Sequence, residues 1–271
     1  SGHGYWVMDY RGGVAAFGDA VHADDADPAL PGGWSAIGIV AQPRATRGYW
    51  ILADSGAVYA YGGAPYLGGA NGAIPAGMEA VGMAPTPSGN GYWIVSSEGG
   101  VYAFGDAQHY GGTNTSLPAG WFATSLTPTA SGRGYWILAN SGAVYTFGDA
   151  QYYGGANGAI PGTDLPAVSL QTTPTGSGYW IMSRAGGIYS FPTNAQPNPL
   201  PFYGAANTAT ELNGNPASGL APNPSGMGYW IMQDWTANAN SGAIFTLPGG
   251  SDPARPQYYG GGNVRVNPAQ P

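Results

Sequence analysis

The chain has 271 residues, of which 43% are hydrophobic and only 8% charged, and it carries a net charge of −7. It has no lysine and no basic run, so the electrostatic footprint of a nucleic-acid binder is missing and anionic membrane surfaces are disfavoured. Cysteine is absent, which excludes disulfides, and no run of about 18 apolar residues offers a membrane-spanning helix.

Taken in order, the chain is paced by the triplet Gly-Tyr-Trp at 4–6, 48–50, 91–93, 134–136, 178–180 and 228–230. The tryptophans are 44, 43, 43, 44 and 50 residues apart, a period that marks a repeated supersecondary unit. The first copy, 1–33, supplies strands but no small-residue strand ahead of them. It also has Asp24-Asp25-Ala26-Asp27 where later copies read Gly-Gly-Ala-Asn. Copies two (34–69), three (78–112) and four (121–155) are regular. Copy five (165–204) replaces Phe-Gly-Asp-Ala with Phe191-Pro192-Thr193-Asn194, and copy six (216–261) inserts 234–240 into its hairpin. A tail, 262–271, contains the strand-like Val264-Arg265-Val266-Asn267-Pro268.

Copy four shows the unit most plainly. Gly134 to Ala139 is aromatic and aliphatic, Asn140-Ser141-Gly142 is a tight turn, and Ala143 to Phe147 is a second strand ended by Gly148-Asp149-Ala150. Gln151 to Gly155 reads as a short third strand, and Ala167 to Thr172, after a longer connection, as a fourth. No segment has a 3.6-residue apolar period. Glycine and proline punctuate strands in this pattern and do not indicate disorder.

Four short antiparallel strands per copy predict an all-β fold, a six-bladed β-propeller. The small-residue strand is expected innermost, the Gly-Tyr-Trp strand second, the Val-Tyr-Thr-Phe type third and Tyr-Tyr-Gly-Gly outermost. The sixth blade is split, 1–33 joined by 262–271, so that pairing of the N- and C-terminal strands closes the ring. An open β-solenoid and a five-bladed ring with one aberrant repeat are the alternatives.

The Gly-Tyr-Trp rings could serve as glycan platforms, but every junction between blades needs large apolar groups, so they are read as core. The corner carboxylates Asp19, Asp106 and Asp149 could hold calcium or sugar hydroxyls; the plainer reading has each accepting N–H groups of its own turn. No cofactor is expected, and nothing else in the sequence calls for calcium. The sharper candidate is the blade end carrying the hairpins between strands two and three. It collects Asp54, Glu98 and Asn140 from the hairpins, Asn71, Asn114, Asn157 and Asn207 from the connections, and Trp34, Trp121 and Trp235. Amides and aromatic faces recurring once per blade suit a neutral glycan. The competing reading makes the asparagines turn residues and lets Trp34 and Trp121 cap the core. Catalysis finds little support. His3, His22 and His109 are read as sharing no repeat position, zinc spacings and nucleophile elbows are absent, and a glycoside-hydrolase carboxylate pair drawn from separate loops is a lesser reading.

The pattern Gly-Tyr-Trp, then Gly-x-Val-Tyr-x-Phe-Gly-Asp-Ala-x-Tyr-Tyr-Gly, resembles repeats of secreted actinobacterial proteins often appended to cell-wall hydrolases. At fold level the chain is similar to propeller lectins of the tachylectin type. The resemblance implies an extracellular, non-catalytic, multivalent module that binds a glycan or cell-envelope polymer. The alternative is a protein-interaction scaffold or targeting subunit of a secreted complex, using the uneven loops of copies five and six.

Overall fold

The computed structural model describes residues 3–27, 29–45, 47–114, 116–174, 176, 178–192, 201–206, 215–234 and 244–247. All regular structure among them is β. The strands are β1 Gly4–Met8, β2 Val14–Gly18, β3 Ala36–Ala41, β4 Tyr49–Ala53, β5 Val58–Tyr61, β6 Ala80–Pro85, β7 Gly91–Ser96, β8 Val101–Gly105 and β9 Ala123–Pro128. They continue with β10 Gly134–Ala139, β11 Val144–Gly148, β12 Ala167–Thr172, β13 Gly178–Ser183, β14 Ile188–Pro192, β15 Ala217–Pro222, β16 Tyr229–Gln233 and β17 Ile244–Leu247.

They form six antiparallel sheets, one per Gly-Tyr-Trp copy: β1-β2, β3-β4-β5, β6-β7-β8, β9-β10-β11, β12-β13-β14 and β15-β16-β17. The Gly-Tyr-Trp strand lies in the middle of each three-stranded sheet. In β7, β10 and β13 every residue is buried, because a neighbouring sheet covers each face, and this is why these strands read as unbroken apolar runs. The small-residue strands β3, β6, β9, β12 and β15 pack against one another in succession. Each has one extra residue opposite its partner, a bulge at Ile37, Val81, Thr124, Val168 or Ser218, which sharpens the local twist.

The core lies between sheets. In the junction of β6-β7-β8 with β9-β10-β11, Trp93 and Val95 meet Leu126, Tyr135 and Ile137. The same ring pair recurs at each junction: Trp6–Tyr49 at 5.5 Å, Trp50–Tyr92 at 5.4 Å, Trp93–Tyr135 at 5.8 Å, Trp136–Tyr179 at 5.9 Å and Trp180–Tyr229 at 5.4 Å. A sixth contact, Tyr5–Trp230 at 6.1 Å, joins the last sheet to the first. Backbone bonds reinforce the junctions, with the N–H of Ala36, Ala80, Ala123, Ala167 and Ala217 donating to the carbonyls of Tyr10, Asp54, Ser97, Asn140 and Arg184 of the preceding sheet.

The expectation of four strands per unit is corrected. Segments 64–69, 107–112 and 150–155 form no ladder, and the described sheets have at most three strands. The glycine pair is the cause. Gly68, Gly111 and Gly154 have φ of 124°, 128° and 134°, and a Cβ there would sit 2.6–2.7 Å from Phe104, Phe147 or Phe191 of the next sheet. Their backbone groups are satisfied by side chains instead. The Tyr135 hydroxyl accepts the Tyr110 N–H (3.0 Å) and donates to the Gly111 carbonyl (2.6 Å). Tyr92 does the same with Leu67 and Gly68, and Tyr179 with Tyr153 and Gly154. The segment proposed to pair as the inner strand of the first sheet, 264–268, lies outside the described residues.

Candidate functional site

Three surfaces are built by this repetition: the hairpin end, the opposite end with the Gly-Asp-Ala corners, and the rim.

At the hairpin end the predicted residues separate. The Asp54 carboxylate accepts the Ser35 N–H at 3.0 Å. The Asn140 amide accepts the Phe122 N–H at 3.1 Å and donates to the Gly120 carbonyl at 3.4 Å. Both side chains thus prolong the pairing of the inner and middle strands. Glu98 is half-buried, with Oε2 enclosed and unbonded among the described residues. Burial raises the pKa of nearby Tyr102, and the Glu98 charge adds to the rise. Asn71, Asn114 and Asn157 are exposed, one per sheet. Their Oδ1 atoms lie 3.0, 3.4 and 2.8 Å from where a Cβ on Gly69, Gly112 and Gly155 would stand. Trp34 and Trp121 are half-buried and close Pro-to-Trp turns, their N–H groups on the carbonyls of Pro31 and Pro118. Asn207 and Trp235 lie outside the described residues, as do most of the uneven loops of copies five and six. Apolar groups stand out around these turns: Met78 is 45% exposed, Phe122 42% and Leu165 41%.

At the corner end the carboxylates find partners other than their own turns. Asp106 accepts the hydroxyls of Thr86 (2.8 Å) and Ser88 (2.5 Å), and Asp149 those of Thr129 (2.8 Å) and Ser131 (2.6 Å). Each corner is tied to the hairpin between inner and middle strands of its own sheet. Open polar grooves run between sheets here. One of about 280 Å³ is lined by Ser88, Asp106, Gln108, Ser131 and Arg133. Another of about 660 Å³ is lined by Trp6, Asp19, Gln42, Arg44 and Arg47. Among the described residues no group of three or more histidine, aspartate or glutamate side chains could hold a metal ion.

The rim carries residues that sequence reasoning missed. The indole N–H groups of Trp6, Trp50, Trp93, Trp136 and Trp180 donate to the carbonyls of Val21, Pro65, Gln108, Gln151 and Pro201 at 2.7–3.1 Å. Those bonds fix a common register, and the next residue in it is His22, Tyr66, His109, Tyr152 and Phe202. His22 and His109 therefore do share a repeat position, contrary to the sequence reading. The signal was present as a ring sixteen residues beyond each of the first four tryptophans. All five rings are exposed.

No helix among the described residues is long and apolar enough to cross a membrane. No family model matches the chain, and no curated protein matches it. Among solved structures, the β-propeller domain of Myceliophteria thermophila Cps50 (Swd1) is 11% identical with a TM-score of 0.48, covering 85% of this chain and 76% of that one. Raptor of Chaetomium thermophilum is 12% identical with a TM-score of 0.50 over 84% of this chain, which spans 22% of Raptor's length. At such identities a likeness concerns fold alone. The described residues form an all-β array of antiparallel sheets, one per repeat, packed face to face.

Proposed function

We propose that the chain is a non-catalytic, secreted interaction module that docks a protein on its hairpin end. The observation behind this reading is the recurrence of exposed apolar side chains, Met78, Phe122 and Leu165, immediately before β6, β9 and β12. Exposed apolar side chains set among polar groups suit a protein partner, and the nearby Asp54 and Asn140 oxygens are already occupied. In this reading the six sheets close a ring. The inner edge of β1, unpaired among the described residues, faces a space walled by Trp6, Ile37, Ser218 and Met232. A photoreactive phenylalanine at 122 is expected to trap a protein from the native source, whereas the same group at Met227, exposed on the far end, traps none. Equal adducts at both positions, or none at 122, would refute the docking surface.

A second reading, glycan binding, is favoured by the exposed amides of Asn71, Asn114 and Asn157. None of the three makes a side-chain hydrogen bond within the described residues, and they recur once per sheet. Loss of glycan-array binding in the triple alanine variant would support it.

A further inference from the structure

We propose that the rim rings of copies two and four, Tyr66 and Tyr152, are stacking platforms for a neutral pyranose, each paired with the asparagine five residues on. The proposal rests on the glycan reading and adds to it the face of the sugar that is bound.

The rings are held outward by their own backbone. Tyr152 is flanked by Gln151, whose carbonyl accepts the Trp136 indole N–H at 2.7 Å, and by Tyr153, whose N–H donates to the Tyr179 hydroxyl at 3.1 Å. Tyr66 is flanked likewise by Pro65, bonded to Trp50, and Leu67, bonded to Tyr92. With both neighbours fixed to opposite sheets, the side chain between them projects from the rim. Tyr66 is 62% exposed, Tyr152 58% and Phe202 59%. No structural need accounts for a large ring at a position so exposed, and fixing the backbone beforehand lowers the ordering cost of binding.

The second half of the site is the amide. In copy four, the Asn157 Oδ1 and the Tyr152 hydroxyl lie 2.8 and 3.4 Å from the same point, the place a Cβ on Gly155 would occupy. The Gly142 carbonyl lies 3.2 Å from that point as well, so the space over the glycine is closed and a sugar would lie outside it, against the ring face and the exposed amide. Copy two repeats the order ring, Gly68, Gly69, Asn71, with Asn71 Oδ1 3.0 Å from the Gly69 position. Copy three substitutes the imidazole of His109. Copy one is an internal control: His22 is bonded to Asp25 at 3.0 Å, and Asp24, Asp25 and Asp27 replace the glycines and the asparagine. A net charge of −7 favours a neutral polymer over an acidic one.

The test is titration of the folded chain with cellohexaose, xylohexaose, mannohexaose and chitohexaose, followed by backbone amide NMR. At least one should bind with a dissociation constant of about a millimolar, shifting amides of 66–71 and 152–157. Combined Tyr66→Ala and Tyr152→Ala should weaken binding at least about tenfold, a loss of about 1.4 kcal/mol or more. His22→Ala, whose imidazole is bonded to Asp25, should leave it unchanged. Since the rings are exposed, the melting temperature should hold. Binding that survives loss of both rings but falls in Asn71→Ala with Asn157→Ala would overturn the platforms and spare the glycan reading. Failure of all four sugars would overturn both.

Discussion

At the corner end, the sheets centred on β7 and β10 differ from the sheet centred on β4. The first two tie the corner to the adjacent hairpin through Thr86, Ser88 and Asp106, or Thr129, Ser131 and Asp149. In the third, Gly63 replaces the aspartate and Gln42 the threonine. Gln42 Nε2 instead reaches across to the Gly89 carbonyl of the next sheet at 3.1 Å, and its Oε1 accepts the Arg44 N–H at 2.7 Å. All parts of the tie change together, whereas the Trp–Tyr pair changes at none of the described junctions. Bonds within a sheet are interchangeable here, and contacts between sheets are what the repeat preserves.

That contrast can be broken by substitution. Trp93→Ala removes a fully buried ring and its bond to Gln108; a loss of about 3–5 kcal/mol is expected in denaturant unfolding. Tyr135→Phe keeps the ring but strands the Tyr110 N–H and the Gly111 carbonyl, at a cost of about 1–3 kcal/mol. Asp106→Ala should cost only about 1 kcal/mol, and Asp19→Ala, whose carboxylate has no such hydroxyl partner among the described residues, should stay within about 0.5 kcal/mol. A cost for Asp106→Ala equal to that of Trp93→Ala would erase the distinction.

Alkaline titration sharpens it. Burial, the largest influence, pushes the Tyr92 and Tyr179 phenols up to about 12, above an unfolded value near 10. The folded state thus holds these protons longer. The associated stability is complete below about pH 10 and drains away as pH rises towards 12. The denaturation midpoint should fall across that window, and fall less in Tyr92→Phe with Tyr179→Phe. An equal fall in that variant would detach the effect from the junctions.

The repeat, the order of strands in each sheet and the burial of Gly-Tyr-Trp were legible because they follow from spacing and from rings that need two covered faces. The missing fourth strand was not. Tyr152-Tyr153 has strand-forming residues, and only the positive φ of Gly154 and the reach of Tyr179 from the next sheet divert it. The equivalence of His22 and Tyr66 was hidden for a related reason. It is set by an indole bond rather than by similarity of neighbours. Asp106 was assigned to its own turn because sequence reveals local N–H groups but not a hydroxyl brought twenty residues back along the sheet.

The tryptophan of each Trp–Tyr pair belongs to one copy and the tyrosine to the next. A single excised copy would therefore expose two large rings and find a counterpart for neither, so it is not an autonomous folding unit. Melting should be one concerted event, and recombination should be tolerated where whole copies are exchanged in register, with seams placed outside the aromatic pairs.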